Sequence, residues 1–401
     1  MQPSFNKMTF LIGNQEILQK MEYLPVVEPF AQHRIDFLNQ VSKILLSNPI
    51  AKQYSDIITF AFWIRKANMQ KCQKAYITDN LMHVGRGLVF HIAPSNVPVN
   101  YAYSLVTGFI TGNANIVRLP SKEFEQVSIL NQAFHDVLSM KNFEDISDYL
   151  VFVRYSRNKE INDYLSSMCD TRVIWGGDNT IKELRESPIK PRATEITFAD
   201  RYSLCIIDAK AYMQNDNKQQ VAHDFYNDTY LTDQNACTSP RVICWLGNSE
   251  NIKTAKKIFW DKAYEVVKKQ YQVQPVQCVD KLTEMFLASA SINGLHYMPM
   301  KDNLIIRIQL EKLDILIQEY RGHSGFFYEY DTENLLDLVT VINEKVQTVS
   351  YIGPKEMLHN LVSFGNKGID RVTEVGKTMD FDFIWDGYNL VTSLTRVISG
   401  M

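Results

Sequence analysis

The sequence predicts an α/β protein built on mostly parallel sheets, on three observations. Short apolar runs alternate with longer amphipathic runs from residue 85 to about residue 345, the pattern of strands joined by crossover helices. Gly, Pro, Asn and Ser stand at the ends of those runs, where turns need them. The alternation is interrupted once, by Ser187-Pro188 and Lys190-Pro191-Arg192, and then resumes. A chain of 401 residues also exceeds the roughly 250–300 residues at which one core stops growing. Two domains are therefore expected, meeting near residues 190–200.

Residues 16–80 read mostly as a helical lead-in. Phe37 to Leu46 spaces its apolar residues for one helix face, and Ile57 to Trp63 continues that character. Gly85 to Pro94 reads as a buried strand, Ser95 to Pro98 as a turn, and Tyr101 to Thr111 as a helix ended by Gly112-Asn113. Then follow a strand at 115–119 stopped by Pro120-Ser121, a helix at 123–140, a strand at 148–153, a helix at 159–168 and a strand at 171–175. Gly176-Gly177-Asp178 opens a helix at 179–185. The second set comprises strand 203–207, helix 219–230, strand 242–246, helix 250–269, strand 304–308, helix 311–319, strand 326–330 and helix 332–345. The aromatic run Phe381 to Gly387 and an amphipathic helix at 388–398 close the chain. Aromatic density of this kind suits packing or a subunit contact. No internal repeat or low-complexity segment interrupts the pattern.

Composition bounds the function classes. With 42 basic and 45 acidic residues and a net charge of -3, the chain lacks the basic surplus of a nucleic-acid binder. No apolar run approaches the ~20 residues of a membrane span. The opening Met1 to Ile12 is too broken for a signal peptide. The six cysteines are scattered, form no Cys-x-x-Cys pair and have no His cluster beside them. They read as reduced thiols of a cytoplasmic protein, with no metal.

One thiol is placed differently from the rest. Cys237 lies in the polar run Leu231-Thr-Asp-Gln-Asn-Ala-Cys-Thr-Ser-Pro-Arg241, between a helix and a strand. Loops on rigid scaffolds concentrate reactive groups, and a thiol needs polar neighbours to ionise. Cys205 and Cys244 sit inside apolar runs and read as packing residues. Four further constellations carry possible chemistry. Asn96, in Pro94-Ser-Asn-Val-Pro98, can donate toward an oxyanion, or only satisfy its own turn. Gly176 and Gly177 let a phosphate approach a helix end, or form a plain tight turn. Arg118 and Lys122 bracket a turn at a strand end, as phosphate or ribose partners or as solvated charge. His323, in Arg321-Gly-His-Ser-Gly325, suits acid/base work if it meets the thiol, and otherwise packs or faces solvent.

In order, these residues resemble the acyl-CoA reductase family of the bacterial luminescence type (LuxC-like), a branch of the aldehyde dehydrogenase superfamily. The resemblance rests on Gly85-x-Gly-x-Val-x-His-Ile-Ala-Pro-Ser-Asn-Val-Pro98, Gly112-Asn-Ala-Asn-Ile-Val-Arg118, Trp175-Gly-Gly-Asp178, Asp233-Gln-Asn-Ala-Cys-x-Ser-Pro240 and Trp385-Asp-Gly387. It runs from about residue 80 to the end of the chain. It implies an aldehyde dehydrogenase-like fold, with a Rossmann-type cofactor domain preceded by helices (1–199), an α/β catalytic domain (200–372) and a C-terminal segment for packing or oligomer contact (373–401).

The resemblance further implies reduction of a fatty acyl thioester to the aldehyde. Cys237 would carry the acyl group, Asn96 would donate to the oxyanion, and Pro94, Ser95, Arg118, Ser121, Lys122, Gly176 and Gly177 would contact the cofactor. A cation at Lys122 favours the 2′-phosphate of NADPH. The donor would be a fatty acyl-CoA or an acyl-protein synthetase partner, and the assembly a homo-oligomer. Relatives carry a general-base glutamate in a Glu-Leu-Gly-Gly-Lys run. The matching stretch here is Thr197-Phe-Ala-Asp-Arg201, with Thr197 at the glutamate's place and Glu195, two residues before it, as a possible acid/base group beside His323. A second family glutamate, which holds the nicotinamide ribose, is replaced near Arg321. Two other readings compete: a cofactor-independent cysteine acyltransferase, and a non-catalytic scaffold of an acyl-processing complex.

Overall fold

Two β-sheets organise the protein, one in each of two units. The computed structural model describes residues 5–78, 81–94, 97–299 and 301–400. The first unit comprises Met1–Ala199 with Phe381–Met401, and the second Asp200–Asp380.

In the first unit the strands are β1 (Thr9–Ile12), β2 (Met82–Gly85), β3 (Leu88–Ile92), β4 (Ala114–Arg118), β5 (Leu150–Arg154), β6 (Thr171–Trp175) and β7 (Thr194–Phe198). Six of them form one sheet in the order β1-β5-β4-β3-β6-β7. All neighbours are parallel except the β1–β5 pair. Each strand feeds alternate side chains to two cores. Val89, Val117, Phe152 and Val173 pack with helices 32–47, 55–63, 100–110 and 125–138. Phe90, Ile116, Val151 and Ile174 pack with helices 159–168 and 178–185. The chain runs outward from β3 through β4 and β5, then returns to the other side of β3 with β6 and β7. That reversal creates a topological switch point at the carboxyl ends of β3 and β6, where doubly wound sheets bind ligands.

A buried polar cluster stitches this sheet to helix 100–110. His91 meets Ser104 Oγ at 2.8 Å and Asn115 Oδ1 at 3.1 Å, while Trp175 Nε1 donates to Ser104 Oγ at 2.9 Å. Burial lowers the His91 pKa to about 4, so its imidazole is neutral at pH 7. Gly108 lets the helix come this close. A Cβ there would run into Asn115 Oδ1 and lie 2.7 Å from His91 Nε2. Gly108→Ala, which in an open helix would stabilise by about 0.5–1 kcal/mol, is instead expected to cost about 2–3 kcal/mol through overpacking. The midpoint of thermal unfolding followed by circular dichroism should fall by roughly 5–10 °C; an unchanged or raised midpoint would contradict this packing.

The second unit carries β8 (Tyr202–Asp208), β9 (Pro240–Leu246), β10 (Leu295–Tyr297), β11 (Ile306–Leu310), β12 (Phe326–Thr332), β13 (Val346–Ile352) and β14 (Arg371–Glu374). They form one sheet in the order β10-β11-β12-β9-β8-β13-β14, parallel except at β10. One face is covered by helices 218–229 and 249–270. The other is covered by helix 275–291 and the segments around Ile317 and Leu335–Ile342. The chain then re-enters the first unit. There β15 (Ile384–Trp385) and β16 (Tyr388–Asn389) form a hairpin across Asp386-Gly387, both at positive φ (49° and 75°). Asp-Gly suits this two-residue turn, so the Trp385-Asp-Gly387 motif is a hairpin signal. β17 (Thr395–Ile398) finally pairs with β2.

Three expected helices require correction. In place of helix 311–319 there is one 3-10 turn, Ile315–Gln318, capped by Asp314. Gln318 is buried and donates to Tyr202 Oη and the Val341 carbonyl, so tertiary bonds fix a single turn. In place of helix 332–345 there is a 3-10 segment, Leu335–Thr340, capped by Asn334. In place of helix 388–398, only Leu390–Leu394 is helical. The β-branched residues that follow pair as β17, because β2 offers them an edge.

Candidate active site

The segment around Cys237 is a closed loop. Helix 218–229 ends in the 3-10 turn Tyr230–Thr232. Asp233 and Gln234 then take left-handed backbone angles, with φ of 51° and 59°. Gln234 is fully buried, and its side-chain amide bonds to backbone. Its Nε2 donates to the carbonyls of Pro240 (2.9 Å) and Phe326 (3.0 Å). Its Oε1 accepts from the amides of Gly325 and Phe326, each at 3.0 Å. The bond to Pro240 closes the loop on itself at the start of β9. Ser203 Oγ donates to the Cys237 carbonyl at 2.6 Å, which pins the loop's middle to β8. Cys237 is half-buried, and no disulfide is present among the described residues. Burial pushes the thiols of Cys72, Cys169 and Cys205 up to about 11, 12 and 12, and that of Cys244 higher still. Those four suit packing rather than nucleophilic chemistry.

The run Arg321 to Gly325 lies against the cysteine loop. Ser324 donates its amide to the Asp233 carbonyl at 2.9 Å. Arg241, at the far end of the loop, donates to the carbonyls of Gly322 and, at 2.7 Å, Gln234. Two runs singled out in the sequence are thus joined. His323 is half-buried, with its Nδ1 3.2 Å from Ser324 Oγ. Burial, and next the Arg241 guanidinium, hold its imidazole below the ordinary value, so it is neutral at pH 7 and able to accept a proton. Arg321 is paired with Asp200 at 2.5 Å. His323, Gly322 and Arg321 border an open polar pocket with Asp280, Thr283 and Glu284 of helix 275–291.

In the first unit the switch point gathers most of the expected cofactor residues. Pro94 follows β3, Arg118 ends β4, and Gly176 and Gly177 follow β6. Ser95 and Asn96 lie outside the described residues. Arg118 places its guanidinium 4.6 Å from the centre of the Tyr155 ring. Ser121 and Lys122 are exposed, with the Lys122 ammonium 4.9 Å from the Phe124 ring. Gly177 caps helix 178–185 and has open space where a Cβ would stand, whereas Gly176 sits against Thr180. The open space at Gly177 leaves room for close approach of a ligand, and the cations of Arg118 and Lys122 suit the phosphates of a dinucleotide. Asp178, in the first turn of that helix, opposes a phosphate directly on the helix end.

Glu195 and Thr197 occupy alternate positions of β7 and so share one face of the strand. Glu195 is 2.9 Å from Arg172 Nε and 2.7 Å from Arg185 Nε. The Arg172 side chain is 2% exposed and also binds the carbonyls of Leu184 and Ser187. This bracing suits a strut between β6, β7 and helix 178–185 better than proton transfer. Gln234, Arg241 and Ser203 were not singled out from sequence. The available signal was a polar loop closed by Pro240-Arg241, but its partners lie across the sheet.

No helix among the described residues is long and apolar enough to cross a membrane. The same residues contain no group of three or more His, Cys, Asp or Glu placed to hold a metal ion.

Comparison with known proteins identifies the family and the fold. The model of a family described as acyl-CoA reductase (LuxC) matches residues 19–397. The long-chain acyl-protein thioester reductase of Vibrio harveyi is 24% identical over 73% of this chain and 59% of its own length. Long-chain acyl-protein thioester reductase 2 of Photobacterium leiognathi is 27% identical over 47% of this chain and 37% of its own. The aligned part therefore spans less than two thirds of either relative. Among solved structures, a mutant of the 1-pyrroline-5-carboxylate dehydrogenase of Thermus thermophilus superposes with a TM-score of 0.65 at 10% identity, over 96% of this chain and 83% of that one. Aldehyde dehydrogenase 21 of Physcomitrella patens gives 0.64 at 12% identity, over 91% and 85%. At such identity these likenesses speak for the fold, which is aldehyde dehydrogenase-like.

Proposed function

The chain belongs to the acyl-CoA reductase (LuxC) family, and on that premise we propose that it reduces a long-chain fatty acyl thioester to the aldehyde, through an acyl group carried on Cys237. The observation that carries this reading is the loop itself: a half-buried thiol on a segment closed by Gln234, while four other cysteines are sealed in the cores. The acyl donor is a fatty acyl-CoA or an acyl-protein partner. The names of the two bacterial relatives, both acyl-protein thioester reductases, favour the acyl-protein.

The Cys237 thiolate attacks the thioester carbonyl. A carbon–sulfur bond to Cys237 forms, the bond to the carrier breaks, and the carrier thiolate leaves and takes up a proton. The Cys237 amide and, as the family resemblance implies, the Asn96 side chain would donate to the oxyanion of the tetrahedral state. A bound nicotinamide cofactor, NADPH in this reading, supplies the hydride for the second half-reaction. Arg118 and Lys122 would hold its ribose and phosphate charge, and Pro94, Ser95, Ser121, Gly176 and Gly177 would be its further contacts. Collapse of the Cys237 thiohemiacetal then frees the aldehyde and returns the thiolate. With Thr197 at the place where the resemblance puts the general-base glutamate, that position carries no carboxylate to activate water, which would protect the acyl-cysteine from hydrolysis. His323, neutral and beside the loop, is the candidate proton carrier. Residues 1–199 would bind the cofactor, residues 200–372 would perform the chemistry, and residues 373–401 would serve packing or self-association of a cytoplasmic homo-oligomer.

The test mixes the protein with a long-chain acyl-CoA or an acylated carrier protein and follows NADPH and aldehyde together. Equal loss of NADPH and gain of aldehyde is expected. Acyl transfer to water or to added thiols with NADPH untouched would replace the reductase reading with a cofactor-independent acyltransferase.

A further inference from the structure

We propose that Lys281 is a positioning residue of this site: by gripping the Ser324–Gly325 peptide it presses that peptide onto the loop of Cys237 and holds the loop in one conformation. The proposal rests on the reading of Cys237 as nucleophile. Lys281 lies on helix 275–291 and is fully buried. Its ammonium donates to the Ser324 carbonyl at 2.8 Å and to the Asn303 carbonyl. The amide of the same peptide unit, on Gly325, donates to Gln234 Oε1 at 3.0 Å. In a planar trans peptide the C=O and N–H point opposite ways. A single peptide unit therefore stands between the ammonium and the cysteine loop, held by Lys281 on one side and by Gln234 on the other. The Ser324 amide adds a bond to the Asp233 carbonyl at 2.9 Å.

The backbone at this contact needs holding. Asp233, Gln234 and Ser324 have left-handed angles, with φ of 51°, 59° and 58°. Such angles are costly for residues with a Cβ and persist where neighbours over-determine them. Gly325, at φ 92°, packs so closely that a Cβ would run into the Leu304 carbonyl and the Tyr230 hydroxyl. The type of side chain points the same way. Ala288, two turns along the same helix face, is equally buried, so packing alone calls for an apolar residue at 281. Burying an ammonium costs more, and charge-assisted bonds to the two carbonyls offset that cost. The nearby acids are engaged by other groups. Asp302 accepts from Tyr264 and from the Leu304 amide, both at 2.8 Å, and Asp233 accepts from Tyr271 at 2.5 Å. Burial lowers the Lys281 pKa to about 8, against the pull of Cys278 and Asp302, so the ammonium carries its charge at pH 7.

The experiment compares full-length wild type with Lys281→Met, which fills the space and lacks the donor. Hydrogen–deuterium exchange read by mass spectrometry should quicken about tenfold in peptides covering 231–241 and 321–326, as for loss of one such bond. Peptides from β8 and β13 should exchange as in wild type. With a long-chain acyl-CoA and NADPH, kcat should fall about 10–100-fold, the effect of slightly misplaced reacting groups, while both KM values stay within about twofold. A folded Lys281→Met with wild-type kcat, or with wild-type exchange in the loop, would overturn the proposal, whatever its unfolding temperature. Exchange that quickens through all of residues 200–380 would mark a general loosening and overturn it too. Should Lys281→Met fail to fold, Lys281→Gln, whose shorter, uncharged side chain weakens the same bonds, takes its place and faces the same outcomes. The exchange comparison needs neither acyl donor nor cofactor, so a wild type that reduces nothing would end the reductase reading while the grip of Lys281 is still decided.

Discussion

Cys237→Ala is expected to abolish acyl-dependent NADPH oxidation and covalent acyl labelling together. The loss should reach at least ~10³-fold, as for removal of a nucleophile in a covalent mechanism. The variant should fold. Cys237 is half-buried and its carbonyl, not its sulfur, takes the bond from Ser203, so the loop keeps its closure when the thiol is removed. Thermal unfolding close to wild type is the control. Asn96→Ala is the companion. It should lower turnover by ~10²–10³-fold, the usual cost of one oxyanion donor, while the fluorescence-measured affinity for NADPH stays nearly unchanged. If Cys237→Ala retained acyl groups on another residue, the nucleophile would have to be sought elsewhere.

The largest stability effect is expected at Glu329. This fully buried carboxylate in β12 accepts 2.8 Å bonds from the indoles of Trp245 and Trp260 on one oxygen. On the other it holds Arg307, with Nε at 2.8 Å and Nη2 at 2.7 Å. Four nitrogens from three side chains therefore depend on one carboxylate in the second sheet. Truncation to alanine opens a cavity and strands both indole N–H groups, each worth about 1–3 kcal/mol when left unpaired. The Arg307 side chain, 19% exposed, can turn toward water and soften part of the loss. Removing one member of a buried ion pair typically costs about 3–5 kcal/mol. Glu329→Ala should unfold well below wild type in a thermal melt and expose residues 200–380 to protease first. Glu329→Gln, which keeps an acceptor for the indoles, should fall between the two. A Glu329→Ala melt within about 1 kcal/mol of wild type would contradict the picture of a shared anchor.

Where local pattern and tertiary demand agree, the sequence is sufficient. Helix 159–168 and strand 171–175 appear at the expected residues, because Asn158 caps the helix and the apolar strand is bracketed by Asp170 and Gly176. The stretch 332–345 shows how agreement in periodicity can mislead. Leu335, Leu338, Val341 and Ile342 recur at helical spacing and are indeed buried together. A 3-10 segment opened by the Asn334 cap stops at Thr340, and Asn343 then accepts the Lys345 amide, so these residues are buried without a full helix. The helix expectation also ran up to β13, whose β-branched residues pair between β8 and β14. Such pairing is decided by distant strands, not by neighbours in sequence.

The site divides the same way. The polar loop holding Cys237 was visible because it separates a helix from an apolar strand. The work of Gln234 and Arg241 was not, because their partners, Phe326 and Gly322, are 92 and 81 residues away in the chain. His91 stands inside the strongest motif of the chain, yet it is a neutral core residue held by Ser104 and Asn115. The motif there keeps two packed elements together beside the Pro94 turn.

The most direct measurement is peptide mass spectrometry of the full-length protein after incubation with a panel of acyl donors in the absence of reductant. One acyl group on Cys237, removed on addition of NADPH with release of aldehyde, is the predicted result. An unmodified Cys237, or an acyl mark that NADPH leaves in place, would contradict the account.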